Sequence, residues 1–93
     1  MISLYQKTWI EINMEIADRI VRLRKRKKIS QKELAVRSGV SLGSLKRFEQ
    51  TGEISLKSLT MLAIALGVEG ELDTLFSEVP FESIEEIING QTK

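Results

Sequence analysis

The chain has 93 residues, with 14 Lys or Arg, 13 Asp or Glu, no His and no Cys, for a formal net charge of +1. The lack of Cys excludes disulfides and thiolate metal sites, and the lack of His removes the usual general base and the commonest metal ligand. A hydrophobic fraction of 42% with 29% charged residues indicates one ordinary globular domain. No apolar run approaches the ~20 residues of a membrane span, and no signal peptide opens the chain, so we expect a cytoplasmic protein with no membrane partner.

The small net charge hides an asymmetry along the chain. Residues 19–57 contain twelve Lys or Arg against three Glu, a balance of +9. From residue 69 to the end, seven acidic residues face a single Lys, a balance of −6. A basic block next to an acidic segment predicts one surface for a polyanion and another end for a different contact.

Residues 1–12 are the least informative part of the chain. Their β-branched and aromatic residues permit a strand, while the spacing of Tyr5, Trp9 and Ile12 permits a helical turn. We interpret them as an N-terminal extension that packs Tyr5 and Trp9 on the domain. A contribution to a dimer interface is the alternative.

The first predicted helix begins at Asn13, which can cap it, and ends in the basic run of residues 24–28. Its buried stripe is expected at Ile16, Ile20 and Leu23. A basic last turn can simply complement the helix dipole. Because five consecutive cations exceed that need, we expect part of the run, Lys27 and Lys28, to contact the phosphates of a polyanion.

Two short helices with a Gly between them are predicted next. Ser30 and Glu33 form a capping box that opens a helix over residues 31–38. Ser41 caps a second helix over residues 42–51, and Gly39 can adopt the left-handed conformation that turns one into the other. This pattern is typical of the helix-turn-helix unit, whose second helix enters the major groove of DNA.

Several residues of this stretch occur at the spacing of one known family: Gln31, Ala35, Gly39, Val40, Ser41, Leu45, Phe48 and Glu49. Here the chain closely resembles the lambda-repressor-like, Cro/cI type of helix-turn-helix, the XRE family of bacterial and phage regulators. The likeness runs from about residue 16 to residue 68. It implies an all-α, compact five-helix domain over residues 13–76, between the N-terminal extension 1–12 and an acidic tail, 77–93.

The remaining elements follow from local signals. Ser55 opens a fourth helix that ends at Gly67, and a short fifth helix is expected near residues 71–76. Pro80 breaks the pattern. A further capping box, Ser83 with Glu86, predicts a possible sixth helix in the tail.

The expected DNA contacts lie mainly on helix 3, whose outward, groove-facing side should contain Leu42, Gly43, Ser44, Lys46 and Arg47. The resemblance implies that Gln31 binds a backbone phosphate and braces a base-reading residue. Arg47 is our candidate for direct readout, since its guanidinium can pair with guanine O6 and N7. The other expected contacts are Ser41, Leu42, Gly43, Ser44, Lys46 and Lys57.

These other contacts have different chemistry. Lys46 can bind a base or a phosphate, Ser44 a phosphate, and the Ser41 cap faces phosphates at the positive helix end. Leu42 can touch a thymine methyl group. At Gly43 either the backbone approaches the groove closely or readout is lost, and Lys57 is either a phosphate contact or a solvated side chain.

One structural pair is also implied by the resemblance. An acid at the position of Glu49 pairs in the family with a basic residue of helix 1, for which Arg24 is the match. We therefore expect an Arg24–Glu49 ion pair that locks helix 3 against helix 1.

Two functions remain open. The first is a sequence-specific transcriptional regulator, more specifically a repressor, that binds double-stranded DNA as a homodimer through its apolar C-terminal end. The second is an antitoxin-type regulator, because residues 47–59 look like XRE proteins paired with kinase-like, HipA-type toxins. We predict no enzyme activity, catalytic residue, metal or cofactor, since no activated nucleophile or phosphate loop is present.

Overall fold

A computed structural model describes residues 6–78, and that part of the chain is all helical. Its five helices are α1 (Trp9–Arg26), α2 (Gln31–Ser38), α3 (Leu42–Thr51), α4 (Leu56–Leu66) and α5 (Glu69–Asp73). The predicted five-helix, all-α fold class is confirmed. The expectations for Tyr5 and for the possible sixth helix lie outside the described residues. Within residues 6–78, no helix combines the length and the apolar character that a membrane crossing requires.

The predicted bounds of α2, α3 and α4 are confirmed, because local signals fix both ends of each helix. At their starts, the hydroxyls of Ser30, Ser41 and Ser55 accept hydrogen bonds from backbone N–H groups at 3.0, 3.1 and 3.0 Å. A left-handed glycine follows each of the three helices, at Gly39, Gly52 and Gly67. Such glycines end a helix without the steric penalty that a Cβ would bring.

The expected start of α1 at Asn13 is wrong. The helix begins at Trp9, and its N-cap is Thr8, whose hydroxyl accepts a hydrogen bond from the Glu11 N–H at 3.2 Å. Thr8 and Glu11 have the capping-box spacing, and no residue between them and Asn13 interrupts a helix. The expected packing of Trp9 on the domain is also wrong, since this side chain is 66% exposed.

Helix α5 is shifted from the expected residues 71–76. It starts two residues earlier, at Glu69, and ends at Asp73, after which the chain turns and Phe76 takes a left-handed φ of 59°. Acidic residues in its first turn, Glu69 and Glu71, suit the positive end of the helix dipole. Phe76 consequently lies outside the helix and is 87% exposed.

The core lies where α2, α3 and α4 meet under α1. Its largest fully buried side chains are Phe48, Leu34, Leu45, Leu62 and Leu66. Helix α1 packs on α3, and α2 packs on α3 and α4. From α1, the fully buried residue is Ala17, which the expected stripe missed; of that stripe only Ile20 is buried, whereas Ile16 and Leu23 are half-buried. This packing leaves the opposite sides of α2 and α3 uncovered.

Candidate nucleic-acid interface

The turn between α2 and α3 is held tightly. Gly39 has a φ of 79°, and its N–H donates to the Ala35 carbonyl at 2.9 Å. A Cβ at this glycine would lie 3.1 Å from the terminal methyl of Met61. Backbone conformation and close packing therefore both favour glycine here. The result is a fixed angle between the two helices.

One side of α3 is committed to the core. Leu45 and Phe48 are 0% and 1% exposed. Leu42 is half-buried and packs against the same core, so the expectation that it lies on the outward side is wrong. The reason is helical spacing, because residue 42 precedes the buried Leu45 by three positions and shares its side.

The opposite side of α3 is exposed. Gly43, Lys46 and Arg47 all lie there, as expected, and Gln50 joins them. A Cβ built on Gly43 would meet no atom within 4 Å. Gln50 was missed by sequence reasoning, although its spacing of four from Lys46 and three from Arg47 places it on their face. We call Gly43, Lys46, Arg47 and Gln50 the outward face of α3.

Hydroxyl groups surround the start of this face. Ser41 accepts a hydrogen bond from the Ser44 N–H at 3.1 Å and donates one to the Ser44 hydroxyl at 2.8 Å, and both side chains are exposed. Lys57 is exposed in the first turn of α4. A shallow cleft between α3 and the start of α4 is lined by Ser44, Arg47, Glu53, Ile54, Ser55 and Ser58. Donors at two helix N-termini thus lie beside the outward face.

Arg24 and Glu49 form the ion pair that the resemblance implied. The guanidinium donates from Nε to Oε2 at 2.9 Å and from Nη2 to Oε1 at 3.0 Å, with side chains only 11% and 8% exposed. The third nitrogen, Nη1, donates to the Ile29 carbonyl at 3.0 Å. Gln31 donates from Nε2 to Glu49 Oε1 at 2.9 Å. This network joins α1, α2 and α3.

The basic run at the end of α1 divides into two parts. Arg24 is buried in the network just described, whereas the other four cations, residues 25–28, are exposed. Lys27 caps the helix through its backbone N–H, and Lys28 has a left-handed φ of 57°. Lys27 and Lys28 therefore project from a sharp turn that leads into α2.

Arg47 has an intramolecular partner that sequence reasoning missed. Its Nη2 donates to Glu53 Oε2 at 3.0 Å, although the two side chains are 68% and 52% exposed. The residues are six apart in sequence, so no helical spacing predicts the contact. Gly52 turns the chain between them.

No cluster of acidic residues within residues 6–78 is arranged to hold a metal ion. The outward face of α3 instead presents two cations, an amide and a bare backbone position. These groups can donate hydrogen bonds to base edges and phosphates in a groove.

A tight Gly turn between two short helices, with the second helix exposing a basic and polar face, defines a helix-turn-helix DNA-binding protein. A family model described as helix-turn-helix matches residues 20–72, more than half of the chain. The chain belongs to this XRE, lambda-repressor-like family and is a DNA-binding transcriptional regulator. Neither the curated proteins nor the solved structures contain a significant match.

Proposed function

We propose that the protein recognises a specific duplex as a homodimer, with α3 of each copy in the major groove, and represses transcription by occupying a promoter in the cytoplasm. The observation that supports this most is the outward face of α3. The apolar side of α3 packs in the core, while Lys46, Arg47 and Gln50 remain exposed. The exposed cations that follow α1 add attraction to a polyanion.

The proposed contacts divide into base readers and phosphate contacts. Arg47 reads a guanine through two parallel hydrogen bonds, and Lys46 reads a base or binds a phosphate. Gly43 allows the backbone of α3 to approach the groove, and Leu42 reaches a thymine methyl group from the edge of the core. The proposed phosphate contacts are Lys27, Lys28, Gln31, Ser41, Ser44 and Lys57.

The first experiment identifies the site by sequencing genomic fragments that the purified protein retains, and then measures affinity for each single-base variant. Arg47→Ala should lose discrimination at one base pair of each half-site, by ~1–3 kcal/mol. Lys28→Ala should weaken binding to all duplexes alike and reduce the salt slope by about one unit. Lys7→Ala is the matched control, since Lys7 lies outside the basic block and pairs with Glu15 at 2.8 Å.

Two results would refute this proposal. One is an equal loss of affinity for specific and random duplexes in Arg47→Ala, which would remove Arg47 as a base reader. The other is indifference of the natural chain to any duplex at low ionic strength, where phosphate attraction is strongest.

The homodimer part of the proposal is supported by an exposed apolar surface on α4 and the turn after α5. Leu56, Ile64, Leu75 and Phe76 are 68%, 59%, 50% and 87% exposed. Together with Leu72 they line one shallow groove. Regulators of this class bind half-sites ~34 Å apart as two-fold dimers, so a second copy is the occupant we propose.

Light scattering across a concentration series tests the dimer. Ile64→Ser should shift the protein towards monomer and weaken binding to a two-half-site duplex far more than to a single half-site. Val36→Ser is the matched control, because Val36 is a 78% exposed apolar residue on α2. A natural chain that stays monomeric when bound to paired half-sites would refute the dimer.

The antitoxin alternative is supported by the same apolar surface, which would then cover a kinase-like toxin instead of a second copy. A gene for a kinase-like protein beside this one, and a stable complex of the two purified proteins that Ile64→Ser disrupts, would favour it. Failure of the two proteins to bind one another would exclude it.

A further inference from the structure

Three hydrogen bonds close a ring at the end of α3. The Thr51 hydroxyl donates to the Arg47 carbonyl at 2.7 Å, and the Glu53 N–H donates to Thr51 Oγ1 at 3.2 Å. Arg47 Nη2 then donates to Glu53 Oε2 at 3.0 Å. The ring ties the guanidinium of Arg47 back to the last turn of its own helix.

The carboxylate in this ring comes from a fixed backbone. Gly52, between Thr51 and Glu53, has a φ of 77°, and its N–H donates to the Phe48 carbonyl at 2.8 Å. A Cβ at Gly52 would lie 2.9 Å from the Asn13 carbonyl carbon, so the loop packs directly on α1. The backbone that leads into Glu53 is therefore fixed by the hydrogen bond between Gly52 and Phe48 and by packing on α1.

A contribution to folding stability does not explain the Arg47–Glu53 pair. Exposed ion pairs contribute little to folding, and a carboxylate beside a DNA-facing surface opposes attraction to phosphates. The contact uses one Nη2 hydrogen of the guanidinium, which has five N–H donors. The remaining donors still suffice for two parallel hydrogen bonds to guanine O6 and N7.

An arginine on an exposed helix face otherwise samples many rotamers, and immobilising it on binding opposes affinity. A side chain already restrained by a neighbouring acceptor loses less freedom when it meets its base, and it fits fewer wrong bases. The restraint of Arg47 should therefore increase base specificity, whereas the negative charge of Glu53 should lower affinity for every duplex.

We infer that Glu53 is a positioning residue that orients Arg47 for readout of a single guanine. This inference rests on the proposed function of Arg47 as a base reader.

The test compares Glu53→Ala with Glu53→Gln, because both remove the charge but only Gln keeps an oxygen that accepts from Arg47. Affinities are measured for the selected site, for its variants at the base pair that Arg47→Ala affects, and for random duplex. Both variants should bind random duplex more tightly, and to the same extent, at low salt. Glu53→Ala should lose about tenfold in discrimination at that one base pair, whereas Glu53→Gln should retain most of it.

Two further variants complete the design. In an Arg47→Ala background, Glu53→Ala should change discrimination no further, since the side chain that it orients is gone. Glu15→Ala is the matched control, because it removes the exposed ion pair between Glu15 on α1 and Lys7 just before that helix, with the Lys7 and Glu15 side chains 53% and 40% exposed. It should leave discrimination unchanged. Thermal unfolding should be nearly the same for all the Glu variants.

The failures of the inference and of the proposed function are distinguishable. Equal discrimination by Glu53→Ala, Glu53→Gln and the natural chain would show that Glu53 contributes only charge, and would overturn the inference alone. Improved discrimination in Glu53→Ala would also overturn it, by showing that the ring competes with DNA for Arg47. A natural chain without base preference, or an Arg47→Ala variant with unchanged preference, would overturn the proposed function and the inference with it.

Discussion

Arg24→Met tests whether the buried Arg24–Glu49 network holds α3 in position. The change keeps the length and apolar stem of the side chain but removes all three donated hydrogen bonds, which measure 2.9, 3.0 and 3.0 Å. Glu49, only 8% exposed, would keep Gln31 as its hydrogen-bonding partner. The Ile29 carbonyl would lose the Arg24 donor as well. The variant therefore leaves a carboxylate buried without a compensating cation.

Breaking one partner of a buried ion pair costs about 3–5 kcal/mol in the free energy of unfolding. Since small domains have a total stability of about 5–15 kcal/mol, this is a large fraction. The midpoint of thermal unfolding should fall by about 12 °C or more, at 4–8 °C per kcal/mol. Urea denaturation followed by far-UV circular dichroism measures the free-energy change directly.

Two companion variants make this test specific. The double variant Arg24→Met/Glu49→Leu removes both charges and should be more stable than Arg24→Met, because an apolar replacement of a buried pair is often nearly neutral. Arg37→Met is the matched control on α2, since Arg37 pairs with Glu33 at 2.7 Å with side chains 54% and 43% exposed. It should cost no more than ~0.5 kcal/mol. An Arg24→Met loss as small as that of Arg37→Met would refute the reasoning.

Backbone conformation leads to three further predictions. Lys28→Gly should raise the free energy of unfolding by about 0.5–1 kcal/mol, because the backbone φ of Lys28 is 57°, a conformation that glycine adopts more easily. The same variant should bind DNA more weakly, and reduced stability in urea would contradict the stability prediction. Gly43→Ala should also stabilise the fold, by about 0.5–1 kcal/mol, since its Cβ meets open space, but should weaken binding to all duplexes in a fluorescence titration. Gly52→Ala should destabilise the fold more than Gly67→Ala, because both positions have a positive φ but only Gly52 contacts Asn13; equal losses would exclude that contact as a cause.

Local signals explain why much of the fold could be predicted. The starts of α2, α3 and α4 depend on a Ser whose hydroxyl reaches an N–H three residues later, and their ends depend on a Gly. Both are readable within a few residues of sequence. The predicted start of α1 was wrong because the sequence interpretation used Asn13 as the cap and overlooked the capping-box spacing of Thr8 and Glu11.

The candidate site was less predictable from local pattern alone. The Arg24–Glu49 contact spans 25 residues, and only resemblance to a family implied it. The Arg47–Glu53 contact depends on the left-handed turn at Gly52, which brings a loop residue back over the helix. Leu42 was misplaced because an end-of-helix residue was assigned to the exposed side without comparing its spacing to Leu45.

The Lys and Arg residues of the basic block, residues 19–57, fall into two groups, according to whether one of the three Glu residues of the block pairs with them. Each Glu takes one Arg, in the pairs Glu49–Arg24, Glu33–Arg37 and Glu53–Arg47. The other nine Lys and Arg of residues 19–57 have no carboxylate within ion-pair distance among residues 6–78. Attraction to phosphates, and with it the salt dependence, should therefore come mainly from those nine cations. The outward face contains one cation of each kind, since Arg47 pairs with Glu53 and Lys46 has no carboxylate partner among residues 6–78. Substitution of Lys46 should therefore change mainly the affinity for all duplexes, and substitution of Arg47 mainly the discrimination between bases.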